Sequence, residues 1–219
     1  MLNFRKAQTQ DKELIKALTG STPEGAVCFT FLMSAGESFC ESFLLGEENG
    51  EVKSIIFDTG NEYFLVYGDE FPELLTRCEK TVMIYEKKEA PWCLAEIIEG
   101  RGIQEIYKLM SDRSSLFFDD ERRYVLRLRA LNAGHSAVFG IKKDGLLVSC
   151  AAVSSMNERF GVIGDVYTKA EERCKGYAMD CLMTATEFIL SRGRIPMLLC
   201  DEKMCRYYEK AGFRIDGKM

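Results

Sequence analysis

From residue 136 onward the chain reads strand, strand, strand, glycine-bearing turn, helix, strand, helix, strand. That order predicts an α/β fold of the mixed α+β kind, built on one mixed sheet. Two observations carry the prediction. Ser136–Ile141 alternates, with Ala137, Phe139 and Ile141 on one face, and Lys143-Asp144-Gly145 is a hairpin turn leading into Leu146–Val153 and then Phe160–Thr168. Met179, Leu182, Met183, Thr186, Ile189 and Leu190 recur at helical spacing up to Gly193, and the continuous apolar run Ile195–Cys200 follows as a buried strand. A strand, a helix and a second strand in succession imply a parallel pair. Glu202–Ala211 then reads as a helix stopped by Gly212, with a last strand from Phe213.

The first half is β-rich. Residues 11–18 form a short helix, and residues 26–67 read as strands. An apolar run, Val27–Met33, is followed by Ser42–Gly46, Val52–Asp58 and Tyr63–Gly68, separated by E-E-N-G and T-G-N turns. Phe71–Cys78 reads as a helix opened by Asp69 and Pro72, and Thr81–Tyr85 as a further strand. The charged segment Glu86–Pro91 marks a boundary between units at 1–90 and 91–219. Helical spacing returns at Gln104–Met110 and Asp119–Leu131. There is no internal repeat at the level of identity and no low-complexity tract.

Composition narrows the class. The 219 residues are 47% hydrophobic and 29% charged, enough for a sizeable core in a soluble chain. A net charge of −5 argues against a nucleic-acid binder driven by phosphate contacts. No apolar run reaches membrane-spanning length, and Met1–Gln10 lacks the apolar stretch of a secretory leader. The nine cysteines include no C-x-x-C pair, which fits reduced thiols in a cytoplasmic protein. A single histidine, His135, rules out a multi-histidine metal site, and no metal is expected.

The most informative stretch is R-C-K-G-Y-A, Arg173–Ala178. It follows a strand and opens a helix. A glycine-bearing turn there presents free backbone N–H groups and the positive end of the helix dipole, which suit a phosphate or pyrophosphate. Gly176 lets the backbone approach the anion, and Ala178 keeps the next turn thin. On its own an R-x-x-G-x-A string is also what an ordinary loop with a glycine at a helix start looks like. Neither a G-x-x-x-x-G-K-[ST] loop nor a G-x-G-x-x-G fingerprint is present, which argues against a nucleotide-binding fold.

Y-Y-E-K-A-G-F, Tyr207–Phe213, and D-V-Y-T, Asp165–Thr168, stand at matching places around that turn. Together the three segments resemble the GNAT superfamily of acyl-CoA-dependent N-acyltransferases, over roughly residues 130–217. The β-rich first half is similar to the tandem architecture of glycine N-acyltransferase-like proteins, in which an incomplete GNAT-like unit precedes the working copy. The resemblance implies a GNAT-like fold with a splayed strand at Asp165–Thr168. It also implies acetyl-CoA, or another acyl-CoA, as co-substrate and a small-molecule primary amine as acceptor, with direct attack in a ternary complex. The expected cofactor-binding set is Val166, Thr168, Arg173, Cys174, Lys175, Gly176, Tyr177 and Ala178. Within it the turn N–H groups hold the pyrophosphate, and the backbone of Val166 and Thr168 pairs with the pantetheine arm. Arg173 either adds charge or orients the loop.

Acyl transfer also needs a proton for the leaving thiolate and a deprotonated amine. Tyr208 is the candidate general acid, since a phenol with a pKa of about 10 stays protonated where a thiol titrates near 8.5. The alternative is a core aromatic, a role better suited to Tyr207. Asp165 is the candidate base or amine-binding carboxylate, against a cap or turn role. His135 relays a proton or serves as a structural hydrogen-bonder, and a water chain can replace either. Asp201 and Met204 depart from the usual Asn and Ala of relatives. The alternative function is a catalytically inactive acyl-CoA-binding sensor or scaffold.

Overall fold

The computed structural model describes residues 2–60, 62–90, 95–98, 105–106, 108–109, 131, 133–134 and 136–219. The chain opens with β1 (Asn3–Lys6), α1 (Lys12–Thr19) and α2 (Pro23–Ser34), then β2 (Phe43–Glu48), β3 (Glu51–Asp58) and β4 (Tyr63–Tyr67). The four strands form an antiparallel sheet in the order β1-β2-β3-β4. Next come β5 (Thr81–Tyr85), β6 (Glu96–Ile97), β7 (Ala137–Lys143), β8 (Leu146–Met156) and β9 (Phe160–Thr168). The chain closes with α3 (Tyr177–Leu190), β10 (Ile195–Cys200), α4 (Cys205–Lys210) and β11 (Phe213–Lys218). These later strands build a seven-stranded mixed sheet, β11-β5-β10-β9-β8-β7-β6. Among the described strands β9 and β10 are the parallel pair, joined by α3, and the other pairings are antiparallel. The Asn49-Gly50 and Asp144-Gly145 turns have positive φ at both residues, the geometry that follows strand twist in a tight hairpin.

Each face of the large sheet has its own cover. On one face Val82, Ile84, Phe160, Val162 and Met197 pack against α1, α2 and the first sheet in a continuous core with Ile15, Leu32, Phe43 and Ile55. On the other, Met83, Ile163 and Leu198 pack beneath α3 and α4, with Leu182, Met183, Ile189 and Phe213. The sheet is thus a buried middle layer where it carries β9 and β10.

Several sequence expectations are corrected here. The apolar run Val27–Met33, read as part of a β-rich stretch, lies in α2. Thr22 caps that helix by accepting the Gly25 N–H at 3.0 Å, and Pro23 occupies its first turn. Because α2 is buried between the two sheets it is apolar on most sides, which erases the helical period that an exposed helix would show. Phe71–Cys78 does not form a helix: Leu74 is 99% exposed, so the apolar spacing has no core to meet. Its end runs beside β4 instead, with the Cys78 N–H donating to the Tyr63 carbonyl at 2.9 Å. Glu202–Ala211 is split into a 3-10 turn, Glu202–Met204, and the short α4. Strand β5, expected as a strand, lies in the large sheet between β10 and β11. The helices expected at Gln104–Met110 and Asp119–Leu131 fall largely outside the described residues, with helical backbone at 105–106 and 108–109.

Polar side chains lock α2 to the β8–β9 connection. Ser155 Oγ accepts the Thr30 N–H at 2.9 Å, and Thr30 Oγ1 accepts the Met156 N–H at 3.0 Å. Asn157, 1% exposed, donates to the carbonyls of Thr19 and Thr22 at 3.2 and 2.8 Å. Its Oδ1 accepts the N–H groups of Arg159 and Phe160 at 3.0 and 2.7 Å. Removing that side chain leaves buried backbone groups unpaired, each at a cost of about 1–3 kcal/mol. Asn157→Ala is therefore expected to destabilise the protein by about 2–4 kcal/mol, read as a lower midpoint with an unchanged slope in urea unfolding.

Candidate active site

The site begins where β9 leaves β10. The parallel register runs from Phe160↔Ile195 to Ile163↔Leu198 and then stops, so among the described residues Gly164–Thr168 has no strand partner on that side. On its other edge β9 stays paired with β8, whose register shifts between Cys150 and Ala152 opposite Tyr167 and Gly164. The extra residue sits at Asp165, with φ of 51°, a left-handed conformation that aspartate tolerates better than most side chains. The bulge also shifts the alternation of side chains. Ile163 and Val166, three apart, both pack on the cluster beneath α3, whereas Tyr167 packs on the opposite face. Thr168 follows Val166 in phase. Its hydroxyl lies 2.8 Å from Ser149 Oγ, which in turn lies 3.7 Å from Cys181 Sγ on α3.

The chain then enters the turn before α3. A 3-10 turn, Ala170–Glu172, precedes it. Cys174 and Gly176 take positive φ, 60° and 87°, so the backbone winds back on itself before the helix starts. Alternating left-handed residues of this kind point successive N–H groups into one concavity, the geometry of an anion nest. The Gly176 carbonyl accepts the N–H groups of Met179 and Asp180 at 2.9 and 3.1 Å, so helical bonding begins there. The Tyr177 and Ala178 N–H groups precede that first helical bond. Among the described residues no atom lies within 4 Å of where a Cβ would stand at Gly176, so its requirement is the positive φ.

The side chains around the turn divide by role. Arg173 Nε donates to the Thr168 carbonyl at 3.2 Å, which ties the loop to the end of β9. Lys175 Nζ bonds Glu172 Oε2 at 2.6 Å, and Lys143 Nζ, from the β7–β8 hairpin, bonds Glu172 Oε1 at 2.8 Å. These two lysines hold the Glu172 carboxyl below its ordinary range, Lys143 contributing most. Lys143 and Glu172 were not singled out from sequence: the hairpin motif K-D-G marks a turn, and nothing in it signals proximity to a helix over thirty residues later.

Across the opening lies α4, which follows β10 at the end where β9 diverges. Tyr208, half-buried, packs on the same cluster as Val166. Its ring meets Tyr207 edge-on at 5.2 Å and Phe213 at 6.4 Å. Burial raises the Tyr207 pKa, with a smaller contribution from Cys181. Asp201 bonds Lys80 Nζ at 2.9 Å and so links the ends of β10 and β5. Cys200 lies 3.8 Å from Cys205, and burial, aided by that neighbour, pushes its thiol up to about 12. A thiol so raised stays protonated at neutral pH and is not a nucleophile. His135 lies outside the described residues. Among the described residues no group of three or more His, Cys, Asp and Glu is placed to hold a metal ion, and no helix is long and apolar enough to cross a membrane.

Known proteins share this fold. The acetyltransferase (GNAT) family profile matches residues 103–213, just over half of the chain. A GNAT-family acetyltransferase from Colwellia psychrerythraea superposes with a TM-score of 0.64 at 11% identity, over 99% of this chain and 97% of its own. A GCN5-related N-acetyltransferase-like protein from Streptococcus suis gives 0.57 at 16% identity, covering 97% of each chain. A GNAT-family acetyltransferase from Novosphingobium aromaticivorans gives 0.53 at 18% identity over 64% of this chain, which spans only 61% of that protein's length. No curated protein matches the chain in sequence. The diverging parallel strands, the turn before α3 and the family match over residues 103–213 agree: the chain belongs to the acetyltransferase (GNAT) family.

Proposed function

We propose that the protein transfers an acetyl or short acyl group from acyl-CoA to the primary amine of a small molecule, by direct attack in a ternary complex. The observation that supports this most is the coincidence of two features at one sheet end. The β9–β10 pairing stops at Ile163 and Leu198, and the positive-φ turn at Cys174 and Gly176 opens α3 beside it. An unpaired strand edge accepts the amide-bearing pantetheine arm as an added strand, along Val166 and Thr168. The N–H groups of Cys174, Gly176, Tyr177 and Ala178 receive the pyrophosphate, with Arg173 and Lys175 shaping the loop. The Val166 N–H is assigned to the thioester carbonyl, where negative charge develops on oxygen.

Tyr208 is assigned as the acid that protonates the departing thiolate. Asp165 is assigned to the amine, as base or counter-ion. On the same reading the β1–β4 sheet with α1 and α2 is an incomplete, GNAT-like first unit at residues 1–90, before a catalytic unit at 91–219, as in glycine N-acyltransferase-like proteins. The supporting observation is that β1-β2-β3-β4 and β6-β7-β8-β9 are both sequential antiparallel meanders, with helical residues between the first and second strand of each.

Three outcomes test these assignments. Gly176→Val puts a β-branched side chain at a φ it cannot comfortably adopt and turns the N–H array. It is expected to weaken CoA binding at least about tenfold in calorimetry, with the fold retained and the melting temperature lowered by only a few degrees, as about 1–2 kcal/mol of backbone strain gives. Unchanged affinity would place the cofactor elsewhere. Tyr208→Phe is expected to lower kcat about 100-fold on an amine found by CoA-thiol release across an amine panel, with a much smaller change in acetyl-CoA affinity. Full turnover with chemistry rate-limiting would make Tyr208 a packing residue. Asp165→Asn keeps a residue type suited to the left-handed bulge while removing the charge, so a rise in amine KM or a fall in kcat without loss of stability is expected. Unaltered kinetics would leave Asp165 a turn residue.

A further inference from the structure

Sulfur atoms from three elements meet in the core beside α4. Cys200 ends β10, Cys205 opens α4, and Met83 lies in the middle of β5. Cys200 Sγ stands 3.6 Å from Met83 Sδ and 3.8 Å from Cys205 Sγ. Met83 is fully buried, and the two cysteines are each 6% exposed. All three belong to one apolar cluster. The residues between the cysteines, Asp201–Met204, are exposed, so the thiols lie close under a surface turn. The charged groups that act on Cys200 have both signs: Asp201, in that turn, and Lys80, which is bonded to it. None of the three sulfur side chains has a part in the acyl transfer proposed above.

We infer that Met83, Cys200 and Cys205 form a site for a soft monovalent d10 cation, copper(I). Thiolate and thioether sulfur are the donors that select this class of ion. Three sulfur atoms around one ion, at metal–sulfur bonds of about 2.3 Å in a plane, stand about 4 Å from one another. The two separations at Cys200 are already within a few tenths of an ångström of that. The unbranched, flexible side chain of Met83 adjusts to complete the set. Binding breaks two S–H bonds, releases two protons to solvent and forms two copper–thiolate bonds. The thioether adds a lone pair, and no electron is transferred. Burial pushes the Cys200 thiol up to about 12, so only an ion with a high affinity for thiolate displaces its proton. Zinc fits less well, because its structural sites take four donors from thiolate, imidazole and carboxylate. Among the described residues no third donor of those kinds stands with the two thiols. A bound ion ties β5, β10 and the start of α4 together, three residues before Tyr208. The inference does not rest on the acyl-CoA reading.

Anaerobic titration of the full chain with copper(I), buffered by a chromophoric copper(I) chelator, tests this, with melting temperature and copper X-ray absorption as further readouts. The parent protein is expected to hold one copper(I) against the chelator and to show three sulfur neighbours around it. With the ion in excess it should melt about 5 °C or more higher. Zinc should give no comparable rise. Met83→Leu, which nearly conserves volume, should weaken copper(I) binding about tenfold, and Cys205→Ala at least about 100-fold, removing the rise. No copper(I) held by the parent protein overturns the site, and so does an equal rise with zinc. Cys205→Ala binding as tightly as the parent places the ion on other cysteines, and Met83→Leu binding as tightly removes the thioether; either result overturns the three-sulfur site. Should Cys205→Ala not fold, Met83→Leu and the absorption spectrum of the parent protein decide.

Discussion

The site depends on the parting of two parallel strands. Hydrogen bonding between β9 and β10 ends at Ile163 and Leu198, while β9 keeps its partner β8 as far as Thr168. A strand released on one edge only is held straight enough to present its backbone and is free enough to accept a ligand. The left-handed residue at Asp165 absorbs the divergence as a bulge. That one conformational exception re-aims Val166 toward α3, aligns Thr168 with the buried Ser149 and Cys181, and delivers the chain to the turn at Cys174–Gly176.

The divergence is affordable because the rest of the sheet is clamped on both faces. The first sheet and α2 cover one side, and α3 and α4 cover the other. Strand β5 tightens this further, since it crosses from the first half of the chain into the large sheet between β10 and β11. Its end is tied by Lys80 to Asp201, directly after β10. Buried polar pins, Thr30 with Ser155 and Met156, and Asn157 with Thr19 and Thr22, fix α2 against the start of β9. The paired end of β9 is therefore held most firmly, and the opening is confined to the other end.

The cations around the turn are engaged by the chain itself. Arg173, the most obvious cation in the segment, is folded back onto the Thr168 carbonyl. Lys143 and Lys175 are held at the rim by Glu172. The N–H groups of the turn are the ones assigned above, as a proposal, to the pyrophosphate.

Local pattern was enough to read much of this molecule. The hairpin at Asp144-Gly145, the helix ending near Gly193, the run Ile195–Cys200 and the R-C-K-G-Y-A turn each carry their signal within a few residues, because hairpin turns, helical spacing and helix starts are set by neighbours in the chain. The D-V-Y-T segment marked the strand that splays, since its resemblance rests on the same short range. Where burial decides, the sequence was silent or misleading. Val27–Met33 is a helix because two sheets enclose it, and Phe71–Cys78 is not a helix because no core lies opposite Leu74. The place of β5 within the large sheet and the approach of Lys143 to Glu172 depend on contacts between residues far apart in sequence, fixed by how the strands pair and not by any local preference. The sequence by itself therefore determined the elements and the turn; the tertiary structure decided which strands part, which side chains face the opening, and which distant cations gather at its rim.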